Sequence, residues 1–256
     1  MPTLSPSRAE RLAALRGEVR AIETGGVAKR REWLPFGIEE MDRRLEGGGL
    51  PVAALHEIVG QRRGLSDDAA ATLFAAGIAA RRGEGAVLWA LARRDLFAPG
   101  LAQAGLHPAR VIYAECSTDE DVLAVMEEGL RHGGLAAVVG EVARIAMAST
   151  RRLQLAAEES GTVALMLKRW RKADEDPIAI PSAAVTRWRI GCAPSGALPF
   201  EGIGRARWRI ELARQRGGPP FTCIMEGSDA EGRLGLPEPA ARPAETEWRG
   251  KAAHAG

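Results

Sequence analysis

Between residues 52 and 167 short apolar runs alternate with amphipathic segments, and few folds accommodate that order. The runs are VAALHEIVG (52–60), AVLWALA (86–92), VIYA (111–114), LAAVVG (135–140) and TVALML (162–167). They are short, and they are apolar at both parities of a period-2 pattern, which suits strands covered on both faces. The intervening segments read as helices. One begins near Ser66-Asp67-Asp68, presents Leu73, Phe74, Gly77 and Ile78, and stops at Gly83 with Arg81 and Arg82 in its last turn. A second lies near 97–105. Thr118 with Asp121 opens a third, which carries Val122, Val125, Met126 and Leu130 and closes at Gly133. A fourth covers about 149–160. This β-α-β-α-β order predicts an α/β fold, with a mostly parallel sheet flanked by helices on both faces.

The pattern changes after residue 181. AAVTRWRIGC (183–192), RARWRIELARQR (205–216) and FTCIME (221–226) are separated by Gly/Pro turns and read as antiparallel strands at one end of the sheet. Before the alternation, LPFGIEEMDRRLEGGGLP (34–51) reads as a turn, a short helix and a glycine-rich stop. Residues 6–23 form a separate amphipathic helix, in which Leu12, Leu15, Val19 and Ile22 share one face. That stripe needs cover, either from its own domain or from a partner or second copy. Three parts are expected: the N-terminal helix and basic linker (1–32), the core (33–227), and a structureless Ala/Pro/Gly/charge tail (228–256).

At 46% hydrophobic residues the 256-residue chain can build a sizeable core, and a formal net charge of +2 does not mark a nucleic-acid binder. Cys116, Cys192 and Cys223 stand alone, and no His or Cys spacing suits a metal, so neither a disulfide framework nor a metal site is expected. With no apolar leader and no run of about 18 apolar residues, the chain reads as cytoplasmic and free of membrane.

Two basic features stand out. Lys168-Arg169-Trp170-Arg171-Lys172 follows a strand directly, and such a run could hold nucleic-acid phosphates and stack a base. Asp174, Glu175 and Asp176 follow it and offset that field, so a solvated or protein-binding loop fits as well. Arg187-Trp188-Arg189 and Arg207-Trp208-Arg209 lie within strands. Period 2 turns Trp188, Ile190, Trp208 and Ile210 to the core and the arginines to an outer face. That face is either an ordinary polar surface or a basic surface for a partner.

The segment 34–60 resembles the opening of a RecA-like core, where a Gly48-Gly49-Leu50-Pro51 turn leads into a strand ending in Gly60. With the later strand order and the Arg/Trp strands, residues 34–227 look most like ImuA, a RecA-fold accessory family of bacterial mutagenic DNA repair. SulA-like cell-division inhibitors are a related alternative, and a divergent RecA-type ATPase is another. The ImuA resemblance implies a non-catalytic factor of SOS-induced translesion synthesis. Its implied partners are a polymerase-like ImuB protein and, through it, an error-prone C-family DNA polymerase, with RecA and DNA as further contacts left open. Self-association through the N-terminal helix is a further expectation.

A phosphate loop needs Gly-x-x-x-x-Gly-Lys-Ser/Thr, so that backbone N–H groups, an amine and a hydroxyl meet the phosphates and Mg²⁺. Counting from Gly60, the second glycine position holds Leu65, the lysine position Ser66 and the hydroxyl position Asp67; Gly64 falls one residue early. No lysine lies between Lys29 and Lys168. The oxygens of Ser66, Asp67 and Asp68 are expected to cap the helix start, and two carboxylates there repel a triphosphate. Neither catalysis nor a cofactor is therefore expected. Glu141, after strand 135–140, is either a relic of a Mg²⁺-binding acid or a solvated strand-end carboxylate.

Overall fold

The computed structural model describes residues 32–196, 202 and 204–237. Contacts divide the chain into two units, Met1–Glu32 and Trp33–Gly256. The stripe of Leu12, Leu15, Val19 and Ile22 lies outside the described residues, as does the chain beyond Pro237.

A small antiparallel pair, β1 (Trp33–Leu34) and β2 (Leu50–Pro51), flanks the short helix α1 (Glu39–Asp42). The main sheet follows as β3 (Leu55–Gly60), β4 (Val87–Leu91), β5 (Val111–Glu115), β6 (Ala137–Val142), β7 (Val163–Lys168), β8 (Thr186–Ala193), β9 (Arg207–Gln215) and β10 (Phe221–Glu226). The order across the sheet is β10-β9-β8-β3-β7-β6-β4-β5. From β8 to β5 every pairing is parallel, whereas β9 and β10 add antiparallel at one end. Four of the five apolar runs are central strands, with β3, β6 and β7 buried along their whole lengths, while VIYA becomes β5 at the sheet edge.

Helices α2 (Leu65–Ala80) and α3 (Ala98–Gln103) cover one face, while α4 (Asp119–His132) and α5 (Met147–Ser160) cover the other. The Thr118/Asp121 capping box opens α4, and Gly133 closes it in the left-handed conformation at φ 69°. Under α2, Phe36, Phe74, Trp188 and Phe221 form a chain of ring contacts with centroids 5.6–6.1 Å apart. On the same face of β3, His56 is fully buried. Trp188 Nε1 donates to Thr186 Oγ1 at 2.6 Å, so the threonine hydroxyl is free to donate to His56 Nδ1 at 2.7 Å. With Nδ1 accepting and Nε2 donating to Pro51 O at 2.9 Å, the imidazole is neutral, and burial lowers its pKa to about 4.

The expected tail starts too early. Residues 228–237 form a turn on the core: Gly227 N–H donates to Ala206 O at 2.7 Å, and Glu226 and Gly235 exchange backbone hydrogen bonds. Asp229 Oδ1 accepts the Glu231 and Arg233 N–H groups at 3.0 and 2.8 Å, and Leu234 is buried. The turn rests in a notch on α2, where a Cβ on Gly77 would collide with Ser228. A segment without periodicity can thus be ordered by backbone bonds and a glycine contact.

Candidate functional site: the plugged end of the central strands

The site lies where β3, β6 and β7 end and α2 begins. Gly60 closes β3 so tightly that a Cβ there would come within 3.0 Å of the Asp67 backbone and Asp68 Oδ1. The loop then runs along β8, with Gln61 N–H donating to Ile190 O at 2.8 Å. Gly64 is the N-cap of α2 and no side chain caps the helix, contrary to expectation. The helix starts one residue earlier than read, so Ser66, Asp67 and Asp68 lie inside its first turns rather than at the cap. Asp67 does different work. Its Oδ2 accepts the Arg62 N–H at 3.0 Å and its Oδ1 accepts the Cys192 N–H at 2.8 Å, which ties the loop to β8. Burial raises the Asp68 pKa against the opposing pull of Arg169 and Arg93, and Asp68 Oδ1 has no hydrogen-bond partner.

Glu141 is not solvated. It is 7% exposed, and its Oε1 accepts the Trp89 indole N–H at 2.8 Å. Arg169 donates to Glu141 Oε2 from Nε at 2.9 Å and from Nη2 at 2.6 Å. The same guanidinium reaches Thr72 Oγ1 at 2.8 Å and Asp68 O at 3.1 Å. One cation thus bridges the end of β6 and the first turns of α2. Trp170 Nε1 donates to Gly60 O at 2.7 Å and fixes the next residue against the loop. A cavity of about 260 Å³ opens beside this bridge, with Leu65, Thr72, Leu73, Phe97, Glu141 and Arg169 in its walls.

The basic run is therefore dispersed. Lys168 is 1% exposed, donates to Pro177 O at 2.6 Å and lies 3.8 Å from Glu57 Oε1, while burial lowers its pKa against the attraction of Glu57. Arg169 and Trp170 are engaged as described, and Lys172 pairs with Glu175 at 2.8 Å. Of that run only Arg171 and Lys172 are exposed. The expected outer row of arginines is likewise broken. Trp188, Ile190, Trp208 and Ile210 are buried, in agreement with period 2. Arg187 is buried too, however, because the β7–β8 connection folds over that face: Arg187 donates to Glu57 Oε2 at 2.7 Å and to Ile180 O at 2.8 Å. Arg189 forms a two-bond pair with Asp176 at 2.9 and 2.6 Å. Arg209 is exposed and Arg207 half-buried. Sequence reasoning missed Thr72, Trp89 and Glu57, since no local motif marks them as partners of Glu141, Arg169 and Arg187.

No family model matches the chain. Protein ImuA of Caulobacter vibrioides, in strain NA1000/CB15N and in strain CB 15, is 38% identical over 208 residues, spanning 77% of this chain and 84% of the relative. The chain belongs to the ImuA family. Among solved structures, the RadB recombinase superimposes on this ImuA family member with a TM-score of 0.56 at 15% identity, covering 79% of this chain and 98% of RadB. That likeness shows the fold, which is RecA-like. Among the described residues of this ImuA family member no helix is long and apolar enough to cross a membrane, and no His/Cys/Asp/Glu group could hold a metal.

Proposed function

We propose that this ImuA family member is a non-catalytic accessory factor of the DNA-damage response, acting in SOS-induced translesion synthesis by scaffolding a polymerase-like partner of the ImuB type. Family membership supports the process. The Arg169 bridge supports the non-catalytic reading: it gives Glu141, the acid best placed to hold Mg²⁺, to a guanidinium of the same chain. With Arg169 already bonded to Glu141, Thr72 and Asp68 O, both the acid and the Thr72 hydroxyl that faces it from α2 are engaged. Asp67 and Asp68 add negative charge in the first turns of that helix, against a triphosphate.

Isothermal titration with Mg-ATP together with a phosphate-release assay tests the catalytic half. The expected result is neither binding at cellular nucleotide concentrations nor turnover. Mg-ATP seated against residues 60–68 would overturn it. Co-purification with the ImuB-type protein of the same organism tests the scaffolding half, in which the stripe of Leu12, Leu15, Val19 and Ile22 is the proposed docking element. Removal of residues 1–24 is expected to abolish the complex. Exposed Arg171, Lys172 and Arg209, with half-buried Arg207, are the remaining candidates for contact with partner or DNA.

A further inference from the structure

The two edges of the main sheet are finished differently. At one edge the end of β10 is paired again, because the 228–237 turn returns and Gly235 exchanges backbone hydrogen bonds with Glu226. At the other, β5 pairs only with β4 among the described residues. An open edge presents a row of unpaired N–H and C=O groups, and proteins usually guard it with charge, proline or a bulge. The middle of β5 has none of these. Its residues are Val111, Ile112, Tyr113, Ala114 and Glu115, and Ile112 and Tyr113 are 52% and 42% exposed on opposite faces.

The charges that flank this edge are bonded within the chain. Arg110, just before the strand, folds back to donate to Ala80 O at 2.9 Å and Gly85 O at 3.1 Å. Glu115, at its end, pairs with Arg94 at 2.6 Å. What remains between them is the short apolar run Val111–Ala114, with the Glu115–Arg94 pair at its end.

The geometry points to a second copy of this chain as the occupant, with β5 pairing antiparallel to β5 about a two-fold axis normal to the sheet. Residues that face each other in an antiparallel pair point to the same face, so under this symmetry only residues of like parity can meet. Three registers remain near the strand centre, and centring on Ala114 sets Tyr113 opposite Glu115, an aromatic residue against a charge. Centring on Tyr113 sets Val111 opposite Glu115, an apolar residue against a charge. Centring on Ile112 sets Ile112 opposite itself and Val111 opposite Tyr113 on both sides of the axis. Cross-strand aromatic and β-branched pairs are the favourable ones, so the register is centred on Ile112. The strand is its own complement there, which is why a second copy is named rather than an unrelated extended segment.

Sedimentation velocity of the full chain over a concentration series tests this. A monomer–dimer equilibrium is expected, and Ile112→Arg is expected to weaken it by at least about tenfold, since the charge would fall on the axis twice. Circular dichroism checks that the variant stays folded, as a half-exposed edge position should allow. Oxidative cross-linking then reads the register. Facing Cα atoms lie about 4.5–5.5 Å apart, within disulfide reach, so Ile112→Cys should cross-link. Tyr113→Cys should not, because its counterpart lies two residues further along. The unsubstituted chain, with its three native cysteines, is the control. A chain monomeric at all concentrations overturns the proposal and leaves the edge to an extended segment of another protein. A dimer indifferent to Ile112→Arg, or cross-linking at 113 instead of 112, overturns it as well.

Discussion

Lys168 and Arg169 adjoin in sequence but lie on opposite faces of the sheet, and their surroundings differ. Lys168 follows the parity of Ala164 and Met166, which pack under α4 and α5. It sits with Glu57 and Arg187 in a fully enclosed group of two cations and one anion. Glu57 Oε1 accepts no hydrogen bond there, and Lys168 at 3.8 Å supplies an ion pair only. Arg169 follows the parity of Leu165 and Leu167 on the α2 face, keeps 16% of its side chain exposed in the cavity wall, and has its carboxylate partner Glu141 satisfied by Trp89 as well. Two identical formal charges thus become a closed, charge-imbalanced knot on one face and a hydrogen-bonded bridge beside solvent on the other.

The sharpest way to break this contrast is to remove the two carboxylates separately. Glu57→Ala leaves Lys168 and Arg187 buried without their directly bonded carboxylate, with only Asp176, already paired to Arg189, as a nearby anion, and is expected to cost about 3–5 kcal/mol. A denaturant midpoint measurement checks it, and a loss no greater than that of Glu141→Ala would show that the two sites are equivalent after all.

This contrast also marks where the sequence could be read and where it could not. Strand order and helix order were visible because β3, β6 and β7 are apolar at both parities and the capping box at Thr118 is a local signal. Trp188, Ile190, Trp208 and Ile210 were correctly turned inward by period 2. The same rule applied to Lys168 and Arg169 separates them, yet it does not tell that the connection after β7 folds back over Arg187. Nor does it show that Glu57, 130 positions away, is that arginine's partner. Long-range ion pairs leave no local trace. The helix-start reading failed by one residue, which was enough to move Ser66, Asp67 and Asp68 from capping roles to the inside of α2.

The second test uses His56, next to Glu57 on β3 but facing α2. Its folded pKa of about 4 lies below the ordinary value of 6.5, so the unfolded chain binds a proton in that window and the folded chain does not. The stabilisation is complete above pH 6.5 and is lost as pH falls towards 4. The shift corresponds to about 3 kcal/mol. Stability of wild type and His56→Gln across pH 4 to 7 measures it, and parallel curves would remove His56 as the cause.

Glu141→Ala comes third, at about 1–2 kcal/mol. The freed guanidinium can turn into the cavity and find water, an option closed to Lys168. The Trp89 indole loses its acceptor, which accounts for most of the expected cost. A loss above that of Glu57→Ala would mean that the cavity does not admit water to Arg169.

The smallest effect on stability is expected from Arg171, Lys172 and Arg209. Exposed cations of this kind contribute little to folding, and Lys172 pairs with Glu175 only at the surface. Replacing all three by Gln should move stability by no more than about 0.5 kcal/mol. That near-neutrality makes them a clean probe of the basic run's other reading. If the chain binds nucleic acid through this end, each lost phosphate contact lowers the slope of log affinity against log salt by about 0.7–0.9. Lys168 and Arg169 cannot be used in the same experiment, because replacing either would unbalance a folded-state ion pair. A triple variant with unchanged stability and an unchanged salt slope would show that the run's charge serves the interior alone. A flattened slope would assign these exposed cations, Arg209 of β9 among them, to contact with phosphates.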